Sequence, residues 1–250
     1  MSEVIDILWW KWNKPGYRSS YDGNTVNTAM NMIDRHLSLP HRFTCVTDDP
    51  SGISERVRVV DIRSLPSYAW MNVPNPSNAR NPSCYVRLFL FSAAAKELFG
   101  DRVLSVDLDL VVTGDMSPIV SRAEDFVMWG GQALGPGKLG AYNWVNGSVQ
   151  LLRTGTRQKV FDTFNPRVSP LKAHMSGCRG SDQGWIAHCL GKEAITTFGM
   201  EEGIHSFRNH IVPNKGRLFE NTKIVAFHGK HDPWHREVQV AYPWVKEHYR

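Results

Sequence analysis

The chain is poor in cysteine: four in 250 residues, at Cys45, Cys84, Cys178 and Cys189, with no Cys-x-x-Cys spacing. That scatter speaks against a disulfide framework or a zinc knuckle and fits a reducing, cytosolic setting. Long apolar runs are also missing. The longest, Leu88 to Ala95, is interrupted by Ser92 and falls far short of a membrane span. The first six residues are acidic and carry no basic n-region, so no signal peptide is expected. Internal repeats, low-complexity tracts and linkers are absent too, and one domain over residues 1–250 is the expected organisation.

Apolar residues, by contrast, are plentiful. A hydrophobic content of 42% supports a real core and excludes a disordered chain. The formal charge of +5 suits an anionic substrate such as a nucleotide diphosphate, or a nucleic-acid acceptor. Nine tryptophans, several in polar company, supply core packing and possible ligand platforms.

The pattern along the chain predicts an open α/β sheet. Strands are expected over 4–10, 41–47 and 56–62, with a helix from Asn24 or Thr25 to Leu37 between the first two. A Pro/Asn/Ser-rich loop over 66–82 precedes a helix over 83–99, closed by Gly100. Further strands are expected over 103–112, 126–129, 144–152 and 223–227, and helices over 156–164 and 181–190. Five glycines in 130–140 mark a loop.

The apolar run over 103–112 carries Asp107 and Asp109 near its end. If the whole run is one strand, both carboxylates point the same way. Two like charges side by side in a buried strand require a cation, and a divalent metal that also holds substrate phosphates meets that need. His228 directly follows the last apolar strand and completes a plausible ligand set of two carboxylates and an imidazole, suited to Mn²⁺ or Mg²⁺. Trp9, Trp10, Asp48 and Asp49 also fall at strand ends, where ligands of open α/β sheets bind. In His228-Gly229-Lys230, Gly229 allows close approach of a phosphate and Lys230 can neutralise it.

Taken in order, these blocks resemble glycosyltransferase family 8, the glycogenin-like and lipopolysaccharide galactosyltransferase group. The strand with Asp107 and Asp109 resembles its DxD block, and Trp144 to Val149 its Asn-Ser-Gly strand. Asp182-Gln183 is similar to its Asp-Gln pair, and Phe227 to Lys230 with Pro233-Trp234 to its C-terminal His-Gly-Lys-Pro-Trp block. Arg87 sits where that family has an arginine facing the donor. The pattern departs in two places: Gly229 follows His228 at once, with Asp232 before Pro233 where the family has lysine, and Asn146-Gly147-Ser148 inverts the usual Ser-Gly order.

The resemblance implies a GT-A fold, a single open, mostly parallel sheet flanked by helices. It implies transfer of a sugar from a nucleotide sugar, a UDP-sugar first of all, with retention of configuration. On that basis Asp107, Asp109 and His228 hold the metal. The donor meets Trp9, Trp10, Tyr21, Arg87, Asp107, Leu108, Asn146, Gly147, Gly229 and Lys230. Asp182 or Gln183 lies beneath the anomeric carbon. The acceptor would be a glycan, a protein, a lipid-linked sugar or modified DNA, met by segments 70–80, 130–142 and 167–179. Two other readings remain open from the residues alone. One is a haloacid dehalogenase-like phosphohydrolase, whose motif also follows an apolar strand. The other is a non-enzymatic glycan- or nucleic-acid-binding protein.

Overall fold

A computed structural model describes residues 4–12, 20–77, 83–130 and 144–250. Its centre is a seven-stranded sheet built from β1 (Ile5–Lys11), β2 (His41–Thr47), β3 (Val57–Asp61), β4 (Arg102–Val106), β6 (Phe126–Trp129), β7 (Asn146–Arg153) and β8 (Thr196–Phe198). The strand order is β3-β2-β1-β4-β7-β6-β8. Pairs β3/β2, β2/β1, β1/β4 and β6/β8 are parallel, whereas β7 runs antiparallel to both neighbours. The open, mostly parallel sheet is therefore as expected. A second, three-stranded sheet of β5 (Leu110–Val112), β10 (Ile224–Ala226) and β9 (Ile204–Ser206) stands beside it.

That second sheet corrects the reading of 103–112 as one strand. The chain leaves the large sheet after Val106, bends through 107–109, and re-enters strand geometry in β5, where it pairs antiparallel with β10. Strand alternation consequently does not relate Asp107 to Asp109.

Helices cover both faces, so β1 is buried along its whole length. On one face α1 (Gly23–His36) packs Val26, Ala29, Met30 and Ile33 into a core that includes Trp9, Phe43 and Leu104. The helix begins where Asp22 accepts a hydrogen bond from Thr25 N–H at 2.8 Å and Thr25 answers with its hydroxyl, a capping box. On the other face lies the segment read as one helix over 83–99. It is instead a 3₁₀ helix, Tyr85–Phe91, followed after an extended Ser92 by a short α2 (Ala94–Phe99). All seven residues of Tyr85–Phe91 are buried, with aromatic and β-branched side chains that favour a helix weakly. The tight turn lets every side chain of this segment except Arg87 reach the core that holds Trp10, Val103 and Met128.

The remaining helices are short: α3 (Ser117–Val120), α4 (Lys159–Asp162), α5 (Ser169–Met175), α6 (Asp182–Leu190), α7 (Arg236–Ala241) and α8 (Pro243–His248). Arg35 of α1 donates to the carbonyls of His248 and Arg250, tying the C-terminal segment to the first helix. No helix among the described residues is long and apolar enough to cross a membrane. Replacing Asp22 with Ala removes the N-terminal cap of α1, and urea unfolding should register a loss of about 1 kcal/mol.

Candidate functional site

The order β2-β1-β4 places a switch point between chains that leave β1 in opposite directions, and the crevice beyond such strand ends is where α/β sheets bind ligands. Arg87 is the centre of that crevice. The 3₁₀ helix delivers its guanidinium into a nearly closed space, where Nε and Nη2 each lie 2.7 Å from Asp182 Oδ2 and Nη1 lies 2.6 Å from Asp107 Oδ1. Burial alone would lower the Arg87 pKa. The charges of Asp182 and Asp107 outweigh it and hold the guanidinium well above its ordinary value.

Local structure brings each partner to this point. Asp107 follows β4, and its N–H donates to Ser148 C=O on β7 at 2.9 Å. Asp182 opens α6, but it does not cap the helix through its side chain. Its Oδ1 accepts from Ser181 Oγ at 3.3 Å while Oδ2 is occupied by Arg87. Ser181 Oγ in turn accepts from Cys84 N–H at 3.0 Å. Gly147, on β7, is required by the packing: a Cβ there would lie 2.5 Å from Arg87 Nη2. Its N–H donates to Gln183 Oε1 at 3.1 Å, and Asn146 Oδ1 accepts from Ser148 N–H at 2.7 Å. Arg87, Asp107, Asn146, Gly147, Asp182 and Gln183 therefore form one connected cluster. Two carboxylates around one guanidinium leave it with a net negative charge.

A second group forms where the two sheets part. Phe227 N–H donates to Asp109 C=O at 2.9 Å, which sets Asp109 beside the chain that continues into His228. The Asp109 side chain is nearly buried. His228 Nε2 is 2.6 Å from Ser206 Oγ, and its ring tilts against Trp129 at 6.1 Å. Gly229 has φ +100°, a conformation that favours glycine, and a Cβ there would lie 3.2 Å from Arg208 Nη1. Arg208, which the sequence reading passed over, therefore joins Lys230 at this turn. Both are exposed cations. Asp232, at the place where a lysine was expected, is buried, and its carboxylate lies 3.6 Å from His235 Nε2. Tyr21 meets Trp234 edge-on at 5.8 Å, so the start of α1 touches the C-terminal block.

Other expected site residues do not gather here. Trp9 is fully buried and stacked on Phe43 at 5.5 Å. Trp10 is buried in the opposite core with its Nε1–H on Ser105 Oγ at 3.2 Å. Neither ring offers a face for a base, because consecutive residues of a doubly covered strand must each enter a core. The Leu108 side chain is likewise core. The position beside them is held by Lys11 instead, fully buried at the end of β1, with Nζ donating to Asp49 C=O at 2.6 Å. A lone lysine ending an apolar strand was the available sequence signal.

The expected trio of metal ligands is only partly assembled. Asp109 and His228 adjoin through the backbone, but Asp107 is directed to Arg87. Among the described residues no three His, Cys, Asp or Glu side chains form a group that could hold a metal ion. Segments 78–82 and 131–143, parts of the expected acceptor-binding loops, lie outside the described residues.

Cys84, beside the Arg87 cluster, is held neutral: burial pushes its thiol up to about 12. Burial does the same to Cys45. In the folded protein at pH 8, iodoacetamide should leave both unmodified by mass spectrometry, and unfolding in urea should expose both. Arg87→Met leaves Asp107 and Asp182 without their counter-charge. Its unfolding free energy should fall by about 3 kcal/mol in urea titration, with Asp107→Asn in the same background recovering part of the loss.

No family model matches this chain. No curated protein matches it either. Solved structures do. A galactosyltransferase, LgtC, in complex with donor and acceptor sugar analogs is 14% identical, with a TM-score of 0.58 over 97% of this chain and 96% of that one. The glycosyltransferase GlyE of Streptococcus pneumoniae TIGR4 is 15% identical, with a TM-score of 0.55 over 97% of this chain and 61% of that one. Mouse xyloside xylosyltransferase 1 is 12% identical, with a TM-score of 0.54 over 91% of this chain and 98% of that one. The architecture of this chain, a mostly parallel seven-stranded sheet with a small second sheet at its carboxyl edge, is the GT-A fold of these glycosyltransferases.

Proposed function

We propose that this chain is a retaining glycosyltransferase that moves a sugar from a nucleotide sugar, UDP-linked in the first instance, to an acceptor, with Mn²⁺ or Mg²⁺ as cofactor. The observation that carries the reading is the buried Asp107–Arg87–Asp182 network under Gly147, at the switch point of a GT-A sheet. Breaking the bond between the anomeric carbon and phosphate develops positive charge on the sugar and negative charge on the leaving diphosphate. A rigid cluster of net negative charge stabilises the first, and cations stabilise the second.

The residues divide accordingly. Asp182 and Gln183 face the sugar, with Asn146 and Gly147 beside them. Both oxygens of Asp182 are engaged, by Arg87 and by Ser181, and the Gln183 carbonyl is held by Gly147 N–H. Such groups are poor nucleophiles and good fixed dipoles. This favours a front-face route, in which the acceptor hydroxyl enters on the side the diphosphate leaves. Gly229, Lys230 and Arg208 hold the diphosphate at the turn after β10, with Arg208 supplying the positive charge that Asp232 does not. Tyr21 closes the nucleotide end against Trp234.

Asp107, Asp109 and His228 are of the donor types a hard divalent cation takes, two carboxylates and an imidazole, and holding one would require Asp107 to turn from Arg87 toward the other two. When bound, such an ion supplies Lewis-acid neutralisation of the diphosphate.

The purified chain is incubated with Mn²⁺ and a panel of nucleotide sugars, and free nucleoside diphosphate and melting temperature are followed. UDP with Mn²⁺ should raise the melting temperature, and Asp109→Ala should abolish the shift. Gln183→Ala should slow UDP release by roughly 100-fold while leaving the shift in place. The reading is lost if no nucleoside diphosphate binds in the presence of metal; release of phosphate from simple esters would point instead to a phosphohydrolase.

A further inference from the structure

One face of the molecule has features that donor binding does not use. α5 turns Ser169, Pro170 and Ala173 into the fold. Val168, Leu171 and Met175 remain outside, 57%, 56% and 78% exposed. Their spacing of three and four residues sets them on one side of the helix. Beside them opens a cavity of about 470 Å³, lined among others by Val168, Ser169, Lys172, Trp185, His188 and Cys189. It is a built wall: the Trp185 ring stacks on His188 at 5.5 Å, its Nε1–H donates to Val160 C=O at 2.8 Å, and His188 Nδ1 is bonded to Ser176 Oγ at 2.7 Å.

The surroundings are cationic. Residues 157–180 hold five Lys and Arg against a single Asp. Arg157 is paired with Asp125. Lys159, Arg167 and Lys172 are exposed, and none of them has a carboxylate partner among the described residues. Lys159 and Lys172 both lie within electrostatic reach of the Cys189 thiol at the cavity wall.

We propose that this face docks on an anionic lipid bilayer. Val168, Leu171 and Met175 enter the interfacial layer, Lys159, Arg167 and Lys172 meet the lipid phosphates, and the cavity beside Lys172 receives one headgroup. Three exposed side chains are too few for a stable interface between copies, which buries about 800 Å² per partner. A bilayer needs only a modest apolar area together with a few basic side chains. Nucleic acid would match the charge and leave the apolar stripe without a role. From Met175 the chain runs through 176–181 directly to Asp182 at the start of α6, so docking would hold the candidate site near the membrane. The docking stands by itself; that it presents a lipid-linked acceptor rests on the transferase reading.

The full chain is sedimented with vesicles of phosphatidylcholine alone and of phosphatidylcholine with phosphatidylglycerol, at low and high salt. Binding should require the anionic lipid and weaken with salt. The double variant Leu171→Glu, Met175→Glu should bind at least about tenfold more weakly, with an unchanged melting temperature and an unchanged shift of that temperature on adding UDP with Mn²⁺. Absence of sedimentation with anionic vesicles overturns the proposal. Equal sedimentation of variant and wild type does too, as does self-association that the variant abolishes without any vesicle binding. Intact vesicle binding with no donor turnover counts against the transferase reading alone.

Discussion

The site is organised by one buried guanidinium. Arg87 stands between two carboxylates that come from distant parts of the chain, at 20 and 95 residues' separation. Removing three charges from water is costly, and the arrangement is stable only because the charges meet at hydrogen-bond distance in fixed geometry. The fixing comes from outside the trio. β7 orients Asp107 through Ser148, Ser181 holds the far oxygen of Asp182, and the missing side chain of Gly147 leaves the volume that Arg87 fills. The 3₁₀ helix, the β4–β7 pair and the start of α6 are thus locked to one another by the same contact that gives the crevice its charge.

The two aspartates of Asp107-Leu108-Asp109 have separate surroundings. Asp107 ends the large sheet and belongs to the Arg87 cluster. Asp109 leads into the small sheet and is bonded through its carbonyl to the strand that ends at His228. The bend between them is where the chain changes sheets, and the bond from Phe227 N–H to Asp109 C=O sets it beside the strand that leads to Gly229 and Lys230.

Much of this was legible in the residues. The apolar runs of β1, β2 and β10, the apolar face of α1, and the start of α6 all follow from short-range pattern, whereas the cap of α1 is Asp22 and not the expected Asn24 or Thr25. A shared site for Arg87, Asp107, Gly147, Asp182 and Gln183 came only from the resemblance of the ordered blocks to a known family, and the ion pairs that join them were not legible. Trp9 and Trp10 were misleading, since a strand end in sequence is not an exposed strand end once helices cover both faces. The 83–99 segment read as one helix because apolar period does not distinguish a buried 3₁₀ turn from an α-helix. Arg208 had no local signal at all: it matters only through Gly229, twenty-one residues away in sequence and adjacent in space.

While β8, β9, α5, α7 and α8 carried no pattern strong enough to read, the sequence by itself determined most strands of the large sheet, the helix after β1, the alternation of β1 between two faces, and which motifs exist. These depend on interactions within a few residues, where alternation and helical period are strict. Only the tertiary structure decided that 103–112 splits between two sheets, that Asp107 pairs with Arg87, and that Asp109 adjoins His228. Each of those outcomes depends on strand order and on which side chain reaches a shared buried volume first. Burial makes such long-range pairing strong, and no local pattern encodes it.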